Sequence, residues 1–206
     1  WTRTQVSRAA SLCGSLAPVT FDVRKEIYMQ YSPAHPKDAA ELERLFIKTF
    51  SDSEGQTEGE MIGRLAQDFM NGTPEADLYC FVAREGRQIV GSIFFSRLTF
   101  ECEIKAFILA PVAVQTDHQG KGIAQRLIQF GLETLSKDGV DLAITYGDPN
   151  FYSKVGFQSV TETVVPAPLR LQHPEGWLAQ SLKGDKIEPI KGKSSCVEAL
   201  NKPEYW

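Results

Sequence analysis

The apolar residues of this chain change period several times, and each change marks an element. Ile27, Met29 and Tyr31 alternate with Glu26, Tyr28 and Gln30, the two-residue period of a short strand placed just before the turn residues SPAHP. From Pro36 the period lengthens. Leu42, Leu45, Phe46 and Phe50 fall at i, i+3, i+4 and i+8, which predicts an amphipathic helix with a proline in its first turn and Asp38 near its positive end. A polar loop, SDSEGQ, is expected next. Thr57 and Glu60 then stand in capping-box spacing ahead of Met61, Ile62, Leu65 and Phe69, predicting a second helix to about Met70.

LYCFVAR and QIVGSIFFSR are rich in β-branched and aromatic residues and are separated by Glu85, Gly86 and Arg87, the pattern of a hairpin. TFECEIKAFILAPVAV reads as a further strand, yet it contains Pro111, which cannot donate to a ladder. A proline there predicts a bulge or a place where pairing stops. Ile123, Leu127, Ile128, Gly131 and Leu135 return to the helical period, with Gly139 placed to end the helix. VDLAIT is a buried strand, GDPNFYSK a turn with one or two helical turns, and VGFQSVTET a strand again. Strands and helices therefore run β, α, α, β, β, β, α, β, α, β, with hairpins and crossovers mixed. That order predicts an α/β domain built on a mixed sheet flanked by helices. It occupies residues 25–183, between an N-terminal extension of residues 1–24 and a loosely attached tail at 184–206 in which Tyr205 and Trp206 could still dock.

Composition narrows the function. With 206 residues, 42% of them hydrophobic, the chain can bury one good core, and a formal charge of −4 argues against a nucleic-acid binder, whose footprint is basic. Cys13, Cys80, Cys102 and Cys196 are scattered, with neither zinc-site nor disulfide spacing, so they read as reduced, mostly buried thiols of a cytoplasmic protein that holds no metal. No apolar run is long enough to span a membrane. The first segment, with arginines, serines and no acid before Asp22, weakly resembles a targeting segment and is left out of the fold.

The chemistry concentrates in HQGKGIAQRL, residues 118–127. A P-loop requires Ser or Thr after Gly-Lys, where Gly122 stands, and a dinucleotide fingerprint requires a glycine three residues after Gly122, where Gln125 stands. Both are excluded by spacing. What remains is a strand ending in VAV, a polar turn, and Gln-Gly-Lys-Gly-Ile-Ala running into a helix whose first amides have no internal partners and can face an anion. A plain glycine-assisted turn is the competing reading. The proline-bearing strand just before it favours a ligand with a pyrophosphate and an extended, amide-bearing arm, because a bulged strand leaves backbone groups unpaired in line with the helix start.

On these residues the chain resembles the GCN5-related N-acetyltransferase (GNAT) superfamily, and within it the YhbS-like acetyltransferases, over about residues 25–180. ILAPVAVQTDHQGKGIAQRLI matches the superfamily's Gln/Arg-x-x-Gly-x-Gly/Ala element at Gln119, Gly122 and Ala124, and GDPNFYSKVGF matches its segment ending in Phe-Tyr-x-x-x-Gly-Phe. The resemblance implies a mostly antiparallel mixed sheet whose fourth and fifth strands splay apart around acetyl-CoA. It assigns the pantetheine arm to the backbone of Val112 and Val114 and the pyrophosphate to Gln119, Gly120, Lys121, Gly122, Ile123, Ala124 and Gln125, with Arg126 near the outer phosphates. Tyr152 matches the position whose phenol protonates the departing thiolate; the alternative role is aromatic packing beside Phe151 and Phe157. A backbone amide near Val112 is the oxyanion donor this implies.

The general base is not assigned. The fourth strand reads Ala106 to Leu109 where many relatives carry a glutamate, Glu101 and Glu103 lie early and read as a solvated face, and Asp148 reads as a cap on Asn150. His118 reads as a surface histidine. The implied activity is acetyl transfer from acetyl-CoA to a small-molecule or protein amine in a ternary complex, the amine being recognised by the region after Phe157 and by SDSEGQTEGE, whose acids read equally well as a solvated loop with helix caps. A CoA-binding sensor without efficient turnover is the alternative. Neither nucleic acid nor membrane is an expected partner, and a homodimer stays open.

Overall fold

The computed structural model describes residues 28–184 and 186–206, so the expected extension at 1–24, Cys13 and Ile27 lie outside the described residues. The chain runs β1 (Met29–Pro33), α1 (Ala39–Glu54), α2 (Gln56–Gly72), β2 (Leu78–Glu85), β3 (Gln88–Phe100), β4 (Ala106–Val114) and α3 (Ile123–Lys137). It continues through β5 (Leu142–Tyr146), α4 (Pro149–Tyr152), β6 (Gln158–Ser159), β7 (Trp177–Ser181) and β8 (Ser194–Cys196). The strands form one eight-stranded sheet in the order β1-β2-β3-β4-β5-β7-β6, with β8 added to β3 beyond that path. Every pairing is antiparallel except β4 with β5, which is parallel because α3 crosses between them.

Alternation along β3 divides the core between the two faces of the sheet. Phe94 points to α1 and α2, where Phe46 and Phe69 meet it at centroid distances of 5.5 and 5.3 Å. Its neighbour Phe95 points to the opposite face, covered by Leu127, Ile128 and Leu135 of α3. All seven are essentially without solvent exposure, so the sheet is buried on both faces and the helices are held by packing rather than by propensity.

Three sequence expectations are revised. The polar loop at 51–56 does not form: α1 continues to Glu54, Gly55 alone turns the chain at φ 100°, and α2 starts at Gln56 with no side-chain cap, so Thr57 and Glu60 make no capping box. Of VGFQSVTET only Gln158–Ser159 is strand, and Trp177–Ser181, which carries no clear alternation, inserts as β7 between β5 and β6. The segment after 184 is not a loose tail: β8 pairs with β3 at Leu98–Phe100, Lys202 Nζ meets Asp68 Oδ2 at 3.2 Å, and Trp206 is 3% exposed. In each case long-range packing supplies partners that local composition does not announce. Among the described residues no helix is long and apolar enough to cross a membrane.

Candidate active site

Pro111 sits at the break the sequence implied. β3 and β4 pair as Phe95–Leu109 and then as Ile93–Val112, so Ala110 and Pro111 both oppose Phe94, a bulge of one extra residue. On its other edge β4 pairs with β5 only from Ala106 to Leu109, against Leu142 to Thr145, and the Thr145 hydroxyl donates to the Leu109 carbonyl at 3.0 Å where that pairing ends. Beyond it the strands part. β4 runs on to Val114, while the chain after Tyr146 turns away through Gly147 into α4. Gln115 N–H bonds Val90 O at 2.8 Å, so alternation turns the backbone groups of Val112 and Val114 to the parted edge. Gln119 Nε2 occupies part of that edge by donating to the Val114 carbonyl at 3.0 Å.

The gap opens into a cleft of about 1080 Å³. At one end lies the start of α3. Gly120 and Gly122 take φ of 73° and 75°, a left-handed backbone that glycine adopts without strain, and Gly122 is the N-cap of α3 with no side chain bonded to the first amides. A Cβ placed on Gly120 would meet nothing within 4 Å, and one on Gly122 only Gln125 Oε1 at 3.5 Å. The first amides of α3 thus face open space and can take an anion. Val112, Val114, Gln119, Gly120, Gly122, Ile123, Ala124 and Gln125 all line the cleft; Lys121 and Arg126 are exposed and do not.

Tyr152 lines the same cleft from α4. Its ring lies against Gly147, where a Cβ would come within 2.7 Å of it, and stands edge-on to Phe151 and Phe157 at 5.0 and 5.9 Å. Aromatic packing and a cleft position therefore coexist in one residue. Burial pushes the phenol above its ordinary pKa, the nearby Asp148 carboxylate adds to that, and the Thr145 hydroxyl opposes both. Asp148 caps α4, accepting from Asn150 N–H at 2.9 Å as expected.

Other candidates fall elsewhere. Glu101 and Glu103 lie in the exposed turn after β3 and do not line the cleft. Of the acids in SDSEGQTEGE, Asp52 is bonded to Lys48 and Thr116, and Glu60 accepts from Gln56, whereas Glu54 and Glu58 line the cleft. His118 is no plain surface residue: its Nε2 lies 3.2 Å from Glu85 Oε2, and its Nδ1 is buried without a partner among the described residues. Cys102 is exposed rather than buried, burial pushes the Cys80 and Cys196 thiols up to about 12 and about 11, and none of the three lines the cleft. Sequence reasoning missed Thr49 and Leu200 on the cleft wall, because only the fold carries α1 and the last residues to the same place.

Comparison with known proteins agrees with this geometry. Residues 76–159 match the family model of the acetyltransferase (GNAT) domain. The chain is 30% identical over 167 residues to the uncharacterized N-acetyltransferase YjhQ of Escherichia coli K12, covering 78% of this chain and 88% of that one. To the uncharacterized N-acetyltransferase YhbS of the same strain it is 29% identical over 125 residues, covering 60% of this chain and 70% of YhbS. The crystal structure of Escherichia coli YhbS in complex with CoA superposes with a TM-score of 0.74 at 23% identity, over 86% of this chain and 94% of that one. A GNAT acetyltransferase from Brucella melitensis, in complex with acetyl-CoA, superposes with a TM-score of 0.64 at 24% identity, over 85% and 99% of the two chains. The parted strands, the glycine-led start of α3 and the extended match to YjhQ together establish that this chain belongs to the GNAT acetyltransferase family.

Proposed function

We propose that this protein is an N-acetyltransferase that moves an acetyl group from acetyl-CoA to an amine acceptor within a ternary complex. The observation that carries this reading is the parting of β4 from β5 after Leu109 and Thr145, which opens one cleft onto both the uncapped start of α3 and Tyr152. The residues present fit the cofactor. The turn from Gly120 to Gln125 offers open space at its glycines and the uncapped first amides of α3 to a pyrophosphate, and the exposed Lys121 and Arg126 can meet outer phosphates as a point charge and a fork. Val112 offers backbone groups on the parted edge to an amide-bearing arm, and Val114 joins it through its N–H, its carbonyl being shared with Gln119.

Acetyl-CoA supplies the acetyl group as a thioester whose carbonyl is open to an amine nitrogen and whose sulfur can leave. In this reading Val112 N–H, on the parted edge, polarises that carbonyl without a side chain. Tyr152 holds a phenolic proton at the cleft wall, and because burial and Asp148 raise its pKa the proton is fully present at neutral pH. The amine's own proton passes to solvent or to a wall carboxylate.

Release of free thiol from acetyl-CoA in the presence of amines tests the reading. Thiol release well above hydrolysis is expected with at least one acceptor. A second reading, a CoA-binding sensor, is favoured by one observation: β4 from Ala106 to Leu109 is apolar and buried, with no carboxylate facing the cleft. Tight acetyl-CoA binding with no turnover of polyamines, aminoglycosides, amino acids or lysine peptides would select it.

A further inference from the structure

The cleft's second end is built from α1, α2 and the last residues of the chain, and its composition is one-sided. Glu54, Glu58, Asp148 and Glu204 line the cleft, and no lysine or arginine does so among the described residues. Apart from His118 and His173, an acceptor bearing a carboxylate or phosphate would meet side chains of like charge there, which disfavours it. Glu54 and Glu58 flank the Gly55 turn and sense each other: burial and the Glu54 charge both raise the Glu58 carboxyl above its ordinary pKa. A cation beside them relieves that repulsion.

An independent observation points to a ligand at the same wall. Thr49, one turn before Ser53 on α1, is 7% exposed and lines the cleft, yet its Oγ1 has no partner among the described residues. The Ser53 hydroxyl nearby is already used, donating to the Thr49 and Phe50 carbonyls. Buried hydroxyls are rarely left unmade, and rotation about the Thr49 Cα–Cβ bond would turn this shielded one toward the cleft to meet a polar group from outside. The lining is otherwise largely apolar, with Phe50, Met61, Ile62 and Leu65 from α1 and α2 and Leu200 and Trp206 from the last residues. Such walls reward an apolar body, whereas a long hydrated polycation would leave them wet.

Resting on the acetyl-transfer reading of the other end of the cleft, we propose that this end takes a primary amine carried on an aromatic body and free of acidic groups, an arylalkylamine. Its ammonium group lies between Glu54 and Glu58 within reach of Thr49, and its ring lies against Phe50 and Trp206. Phenethylamine and phenylalanine separate the idea cleanly, since they differ by one carboxylate.

The test compares phenethylamine, phenylalanine and spermidine as acceptors, with calorimetric titration of phenethylamine into the protein alone and of CoA into each variant. The expected preference for phenethylamine over phenylalanine in kcat/KM is on the order of 100-fold. Glu58→Gln should raise the KM and the dissociation constant for phenethylamine about tenfold and shrink that preference, with CoA affinity unchanged. Thr49→Val should weaken phenethylamine in the same way and Thr49→Ser should restore it. Equal use of phenylalanine, better use of spermidine, or an unchanged phenethylamine affinity in folded Glu58→Gln would each overturn the proposal while leaving acetyl transfer standing. Failure of CoA to bind would instead remove the acetyl-transfer reading, and the titration of phenethylamine alone would still decide the pocket.

Discussion

Tyr152 brings two demands into one side chain. Its ring needs Gly147 beneath it and the edges of Phe151 and Phe157 beside it, and the role we propose for it needs its hydroxyl to stay protonated in the cleft. Removing the hydroxyl alone tests the second demand without disturbing the first. Tyr152→Phe should lower kcat about 100-fold while the CoA dissociation constant stays within twofold or so, because the ring and its packing remain. The pH dependence follows from sign. A general acid works while it is protonated, and burial together with Asp148 raises this phenol above the ordinary value of 10.0. The alkaline limb of kcat should therefore lie above pH 10.0, and Asp148→Asn, which removes one raising charge, should move it downward. A limb that ignores both substitutions would take Tyr152 out of the chemistry.

At the scale of elements, glycines decide where the helices sit. α1 and α2 approach so closely that a Cβ on Gly59 would fall within 2.5 Å of the Ile47 carbonyl oxygen and 2.8 Å of the Ser51 nitrogen, and would press on Ser51 Oγ. Those are mostly backbone atoms and cannot yield. Alanine normally gains about 1 kcal/mol over glycine inside a helix, but overpacking against backbone costs about 1–3 kcal/mol or more, so the clash wins. Gly59→Ala should lower Tm by about 5 °C and raise the KM for the amine, since Glu54 and Glu58 ride on the same helix junction. The start of α3 behaves differently. Around Gly122 there is space, and the constraint is the backbone itself at φ 75°. Gly122→Val forces a β-branched residue into the left-handed region, at about 1–2 kcal/mol, and should weaken CoA binding about tenfold with little effect on amine affinity. The two glycine variants thus separate the two ends of the cleft.

At the scale of the whole molecule, the last residues belong to the site. Trp206 stacks at 6.5 Å on Tyr146 and 6.0 Å from Trp177, and its Nε1–H donates to the Leu200 carbonyl at 2.9 Å. It joins β5 and β7 to the lining of the cleft. Trp206→Ala should destabilise the fold by about 3 kcal/mol, read as a lower midpoint in urea, and raise the KM for the acceptor more than that for acetyl-CoA. A variant with full stability and unaltered KM would show that this wall is not shared by core and site.

Much of this was legible in the residues themselves. Periods of two and of 3.6, the hairpin at Gly86 and the proline in β4 specified most elements, since each rests on local geometry that neighbouring residues dictate. The glycine spacing of HQGKGIAQRL likewise excluded two nucleotide motifs without a structure, because each motif requires a particular residue type at a fixed position. Tertiary structure decided the rest. β7 and β8 are too short and too weakly patterned to be recognised locally, and they exist because β5 and β3 present edges for them. The continuity of α1 through polar residues 51–54, the unpartnered Thr49 hydroxyl and the convergence of Glu58 with Trp206 depend on residues far apart in the chain. Sequence alone therefore determined the glycine turn that starts α3, a local feature, whereas the wall lined by Thr49, Glu58 and Trp206 is a long-range assembly that exists only once α1, α2 and the last residues pack against the sheet.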